Sequence, residues 1–356
     1  MDYTQKLNEL LLIAAQQNAS DLHLAVGRKP TLRIDGNLLP LAKESILISE
    51  TAHGLIFALM TSEQQEKFIK EKEIDFAYAF EDKARFRINV FNQRGYPAAA
   101  LRLIPAQIKT IEELKLPPIL HDFTKISQGF ILAVGPAGHG KSTTLAAIID
   151  EINHNYTDHI ITIEDPIEYT FAQDKSIVSQ REVGIDSLDF LTALKSVLRQ
   201  DPDVIMVGEM RDAESIATAL KAAETGHLVF STLHTNSASQ TIDRIIDSFP
   251  AEQQNQIASQ LASVLVGIVS ERLVPRIEGG RVPACEILMS TPAVRNLIRE
   301  RKAYQIDLVI ETSSQEGMIT LNHSLVNLVR TGEISLDQAE MYSLNPSELR
   351  ILLERS

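Results

Sequence analysis

The sequence has a single cysteine, Cys285, which excludes an internal disulfide and a four-cysteine zinc site. That scarcity suits a reducing, cytoplasmic setting. No apolar run approaches the ~18 residues of a membrane span, and the stretch Leu261–Val269 is broken by Ser263 and Gly267. Met1–Gln17 holds a short apolar run but no basic n-region and no small-residue cleavage site. Direct membrane insertion is therefore not expected, and work at a membrane would need docking through other proteins. Positive charge is also scarce: 34 basic residues face 47 acidic ones, for a net charge of −13. The two signs balance up to residue 115, so the whole acidic excess lies beyond it. A long basic groove for nucleic acid, which needs many cations on one face, is not supported.

What is present is enough chain, 356 residues and 44% hydrophobic, for two or three domains with buried cores. Thr4–Gln16 has helical apolar spacing at Leu7, Leu10, Leu11 and Ala14. Strand-like runs follow at Asp21–Leu24, Thr31–Ile34 and Asn37–Leu41, with Asp35-Gly36 as a hairpin turn. Ser49–Lys70 reads as helix, and Asp75–Phe80, Ala84–Phe91 and Ala98–Ile104 as three more strands. This predicts a small α+β domain ending near Pro105. Ile111–Leu120, with Pro117-Pro118, reads as a linker. The expected division is a domain at 1–108, a linker at 109–118 and a second domain at 119–356. In the second domain buried strands alternate with helices: Gly129–Val134, a helix from Lys141, Ile160–Ile163 and a helix over Ser187–Leu198. Val204–Val207, a helix over Ala213–Glu224 and Leu228–Thr232 continue the series. Such alternation predicts an α/β fold with a mostly parallel, helix-covered sheet. Residues beyond about 250 read as mainly helical.

Gly135-Pro136-Ala137-Gly138-His139-Gly140-Lys141-Ser142 matches the phosphate-loop pattern G-x-x-x-x-G-K-[ST] between an apolar strand and a helix. The glycines let successive N–H groups curl toward phosphate oxygens, and the helix N-terminus adds its positive end. Lys141 is expected to reach the β/γ-phosphates of ATP and Ser142 to offer its hydroxyl to Mg2+, with Thr143 completing the nucleotide-binding stretch. His139 is unusual where a small hydroxyl residue is common; the position works through its backbone, so the ring reads as tolerated.

Two strands end in carboxylates: Ile160–Ile163 runs into Glu164, Asp165 and Glu168, and Val204–Val207 into Gly208-Glu209. Ligands of open parallel sheets bind at carboxyl ends of strands, where such groups can hold Mg2+ or activate water. With glycine at 208, Glu209 takes the metal-side role. His227 and His234 bracket the apolar strand between them as a candidate pair reporting the γ-phosphate.

Taken together, the phosphate loop, TIEDPIEY (Thr162–Tyr169), DPDVIMVGEMRD (Asp201–Asp212) and TGHLVFSTLHTNSA (Thr225–Ala238) resemble the Walker A, Asp box, Walker B and His box of secretion-type ATPases. The likeness extends through ASDLHL (Ala19–Leu24), RFRIN (Arg85–Asn89) and SQREVG (Ser179–Gly184), covering nearly all of residues 1–335. Pro292–Glu300 is similar to the AIRNLIRE motif of pilus retraction motors of the PilT type, with Val294 for isoleucine.

The resemblance implies a PAS-like N-terminal domain, a RecA-like ATPase domain and a cytoplasmic homohexamer driving retraction of type IV pili in twitching motility. Its implied partners are an inner-membrane platform protein and a second retraction ATPase. By motif, Lys141 and Ser142 hold phosphate and metal, Glu168 is the general base, Glu209 the Walker B acid, and His227 and His234 the His-box pair. Arg85, Arg87 and Arg102 match arginines that reach nucleotide across a domain interface, a task suited to guanidinium; one of them is expected to be a surface ion-pair partner instead. The rival readings are an accessory, PilU-like retraction ATPase, another secretion-type assembly ATPase, a RecA-like nucleic-acid motor and a non-enzymatic nucleotide-binding regulator. Thr331–Ser356 carries no functional signal.

Overall fold

The computed structural model describes residues 2–354 apart from 18, 35, 81–83 and 105–106. Asp35 of the expected turn and Pro105 at the expected domain end lie outside the described residues. The chain divides into two compact units, one of residues 1–107 with 166–170 and one of residues 108–165 with 171–356.

The first unit opens with α1 (Tyr3–Gln16), whose Leu7, Leu10, Leu11 and Ala14 form one buried stripe. β1 (Asp21–Leu24), β2 (Thr31–Ile34) and β3 (Asn37–Pro40) follow. The expected single helix is two, α2 (Ser49–Phe57) and α3 (Ser62–Glu71). Thr61 separates them because its side chain and that of Gln64 form a capping box, which starts a new helix. β4 (Glu73–Phe80), β5 (Ala84–Gln93) and β6 (Tyr96–Ile104) complete an antiparallel sheet ordered β3-β2-β1-β6-β5-β4. Along β5, Phe86, Ile88 and Val90 are buried while Arg85, Arg87 and Asn89 lie on the other face.

The second unit begins with the short α4 (Leu120–Phe123), then β7 (Gly129–Val134), α5 (Lys141–Asn155), β8 (His159–Glu164) and β9 (Ile177–Glu182). Next come α6 (Phe190–Val197), β10 (Val204–Val207), α7 (Ala213–Glu224), β11 (Leu228–Leu233), α8 (Ala238–Asp247) and α9 (Ala251–Val264). The expected helical region after residue 250 instead contains two long strands, β12 (Leu265–Pro275) and β13 (Arg281–Met289). Both are buried along nearly their whole length, so they show no alternation to mark them as strands. The chain ends in α10 (Pro292–Arg299), α11 (Ile306–Thr312), α12 (Leu321–Arg330), α13 (Leu336–Tyr342) and α14 (Pro346–Glu354). Among the described residues no helix is long and apolar enough to cross a membrane.

The second sheet is ordered β13-β12-β7-β11-β10-β8-β9, and every pair is parallel except β12 with β13. Helices cover it, and Phe130, Leu132, Ile161, Ile163, Ile205 and Val229 join the helices' Leu220, Ile242 and Leu261 in one core. The last three helices pack a separate cluster on Val274, Val282 and Ala284 of the β12–β13 hairpin. That gives residues 331–354 a structural place that their sequence does not announce.

β12 runs against the phosphate loop closely enough to dictate its glycines. Gly135 has φ +147°, and a Cβ there would lie 2.4 Å from the Glu271 carbonyl oxygen. Backbone cannot rotate away, so Gly135→Ala is expected to cost about 2 kcal/mol or more in stability, near the upper end for strained backbone. Gly138, at φ +77° with nothing within 4 Å, is the control. Gly138→Ala should cost about 1 kcal/mol, the usual penalty of a left-handed residue. Apparent melting temperatures of the two variants check this; equal shifts would contradict it.

Candidate functional site

The parallel register carries the carboxyl ends of β7, β11, β10 and β8 to one edge of the sheet. Beyond β7 the chain turns through Gly135–Gly140 into α5, whose first residue is Lys141. Lys141 is buried, and its Nζ donates to the carbonyl oxygens of Gly135 (2.9 Å) and Pro136 (2.8 Å). Ser142 next to it is exposed, and Thr143 is partly so.

His234 follows β11 and links the loop to the neighbouring strand end. Its Nδ1 lies 3.3 Å from Lys141 Nζ, and its Nε2 lies 3.4 Å from Glu209 Oε2 beyond β10. A neutral ring with its proton on Nε2 satisfies both contacts, accepting from the ammonium and donating to the carboxylate. Glu209 also accepts from Arg211, which lies 3.6 Å from Asp165 Oδ2 and over the Phe190 ring. Thus one cation, one imidazole, one carboxylate and one guanidinium form a connected line across three strand ends.

The other expected residues fall into different places. Glu164 is buried and accepts from Thr162 Oγ1 (2.6 Å) and Gln180 Nε2 (3.2 Å), which suits a structural carboxylate. Glu168 lies on the 166–170 segment grouped with the first unit. His227 is not brought to His234. It precedes β11, its carbonyl accepts from Gly129 N–H at the start of β7, and its Nδ1 meets the Ala222 carbonyl at 2.9 Å. A strand of six residues spans roughly 20 Å, so residues flanking its two ends mark opposite edges of a sheet.

Within the first unit, Arg87 and Arg102 are direct partners across β5 and β6, and Arg85 stands opposite Ile104. Arg102 is largely exposed and pairs through Nε with Asp21 Oδ1 at 3.2 Å. Arg102 is thus a surface ion-pair partner.

His139 has a role its sequence position did not suggest. Its Nδ1 accepts the Leu273 N–H of β12 at 3.0 Å. Burial, with Arg272, Lys141 and Arg281 nearby, holds its pKa below the usual histidine value, which keeps that nitrogen an acceptor. Arg211, Arg272 and Asn236 were also missed. Arg272 donates through Nη2 to Asn236 Oδ1 (2.9 Å) in the turn after His234. Arg211 sits two residues from Glu209, a spacing that could have drawn attention to it.

As metal donors, the Ser142 hydroxyl and Glu209 carboxylate are hard oxygens of the kind Mg2+ prefers. Among the described residues no cluster of three or more His, Cys, Asp or Glu forms a cage. A fit therefore exists only for a metal that phosphate oxygens help to hold, as Mg2+ does beside nucleotides.

The family model for type II/IV secretion system proteins matches residues 3–299. The type IV pilus retraction ATPase PilT of Pseudomonas aeruginosa is 47% identical over 338 residues, 94% of this chain and 96% of its own. The type IV pilus ATPase PilU of the same organism is 39% identical over 350 residues, 98% of this chain and 91% of its own. A crystal structure of the pilus retraction motor PilT with bound ADP superposes with a TM-score of 0.90 at 46% identity, covering 98% of this chain and 99% of that one. The α/β architecture, the phosphate loop joined to the strand-end carboxylate and these likenesses agree, and the chain belongs to the type II/IV secretion system protein family.

Proposed function

We propose that the chain is a Mg2+-dependent ATPase that works as a homohexamer to retract type IV pili. The observation that carries the ATPase reading is the contact line from Lys141 through His234 to Glu209 at the sheet's carboxyl edge. Support for retraction comes from the higher identity to the type IV pilus retraction ATPase PilT, 47%, than to the type IV pilus ATPase PilU, 39%.

In this reading the Ala137–Ser142 N–H groups and Lys141 take the β/γ-phosphates, whose oxygens compete with the Gly135 and Pro136 carbonyls for the ammonium. Ser142 and Glu209, together with phosphate, would hold Mg2+, which would supply neutralisation of charge developing on the phosphoryl oxygens. His234 couples the loop to Glu209, so phosphate drawing on Lys141 is felt at the carboxylate. Glu168 serves as general base. Arg85, Arg87 and Arg102 supply positive charge to the nucleotide in the assembled ring, which for Arg102 requires exchanging Asp21 for phosphate. The ring docks on an inner-membrane platform protein from the cytoplasmic side and works beside a second retraction ATPase. His227 lies outside this constellation.

Motor output is assigned to α10. Pro292 opens the helix, and Thr291 caps it by accepting from Val294 N–H. Val294 and Ile298 are fully buried, while Arg295 and Arg299 are exposed on another face. The buried face anchors the helix to the core, and the arginine face transmits movement to the pilus base.

Glu168→Gln is expected to bind Mg-ATP but lose turnover by roughly 10²–10⁴-fold, the contribution of a positioned general base. Steady-state hydrolysis by the purified chain reads this, and a loss under about fivefold would move the role of base to Glu209. The double variant Arg295→Ala, Arg299→Ala should keep near-normal hexamer formation and hydrolysis while cells extend pili that do not retract. Retraction in such cells would reduce α10 to a structural helix.

A further inference from the structure

Three successive residues of β12 touch three parts of the site. Glu271 meets the phosphate loop, Arg272 reaches Asn236 after His234, and the Leu273 N–H donates to His139. Glu271 is the most confined of them, at 2% exposed. Its carbonyl oxygen closes the space beside Gly135, and its Oε1 lies 2.2 Å from where a Cβ at Gly140 would stand. Its Oε2 accepts from Thr144 Oγ1 at 2.7 Å, one turn along α5 from Lys141. The nucleotide function proposed above makes no use of this carboxyl. Ionised, it puts a buried negative charge beneath a loop that must receive phosphate anions. Neutral, it places no such charge there.

We infer that Glu271 is a positioning residue of the phosphate loop, packed so that its charge state sets the loop's affinity for nucleotide phosphate. This rests on the reading of Gly135–Ser142 as a nucleotide site. The surroundings make the charge adjustable. Burial pushes the carboxyl up to about 7, against the opposing pull of the Thr144 hydrogen bond and Lys141. The groups facing it are few. α5 brings Lys141, and β7 has no titratable side chain. Opposite on β13 stands Cys285, its thiol pushed up by burial and by Glu271 itself, so it stays neutral. Glu286, next along β13, is also raised to about 7 by burial, but its carboxylate accepts the Ala238 N–H and it lies nearest Arg272 in charge terms among cations. His139 in the loop is held low and uncharged near neutral pH. The sign follows: protonation of Glu271 below about pH 7 favours phosphate, and ionisation above it disfavours phosphate.

The test is ADP binding to the full chain at pH 6 and pH 8, for wild type and Glu271→Gln. The amide keeps the volume and an acceptor for Thr144 but carries no charge. Glu271→Gln should bind ADP roughly tenfold more tightly than wild type at pH 8, the effect of about one pKa unit of coupling, and equally at pH 6. In turnover its KM for ATP should fall while kcat changes less. A merely structural role predicts equal or weaker binding at both pH values, and that result overturns the inference. Should Glu271→Gln fail to fold, Thr144→Val replaces it. Losing the hydroxyl removes the donor that favours the carboxylate, so ADP binding at pH 8 should again tighten; unchanged or weaker binding overturns the inference. Absence of ADP binding by wild type would instead overturn the nucleotide reading beneath it.

Discussion

Parallel hydrogen bonding between β7, β11, β10 and β8 is the constraint on which the site depends. Each ladder fixes the register of its neighbour, so the strands reach one edge together. The phosphate loop, His234 and Glu209 all lie just past that edge. None of the three is near another in sequence. The buried strands lock them into contact, because a slip of one residue would exchange the side chains packed on the sheet's two covered faces. Chemistry at this edge is thus a consequence of packing in the sheet.

β12 adds a second level of control. It extends the sheet beyond β7, and its residues 271–273 close on the loop, on Asn236 and on His139. A Cβ at residue 135 would meet the Glu271 backbone at 2.4 Å, and one at residue 140 its carboxylate at 2.2 Å. Glycines usually explained by the room phosphate needs are here also required by the strand beneath. The loop is therefore held from below before any ligand meets it from above, a form of preorganisation that lowers the cost of binding.

Much of this was legible in the sequence. Gly129–Val134, Val204–Val207 and Ala213–Glu224 stand as the apolar pattern implied, and α5 begins at Lys141 because the glycine-rich turn leaves no other start. Lys141, His234 and Glu209 meet as their positions at strand ends suggested. What was not legible has physical reasons. β12 and β13 are buried on both faces, so no alternation distinguishes them from helix. The break at Thr61 depends on one capping box inside a continuous helical pattern. His227 and His234 bracket β11 and so pair by pattern, but the strand between them carries them to opposite edges of the sheet. Glu271 is invisible to motif reading, since its meaning comes from burial against a loop and helix start far earlier in the chain. Arg102 shows the reverse: its match to family arginines favours function, yet its partner in the structure is Asp21 on the paired strand.

The central claim is that ATP chemistry at this edge drives pilus retraction. Direct imaging of labelled pili in the parent organism after deletion of this protein tests it. Pili should extend at normal frequency and then remain out, with retraction restored when the wild-type chain is returned. Retraction at the wild-type rate and frequency in the deleted cells would contradict the account.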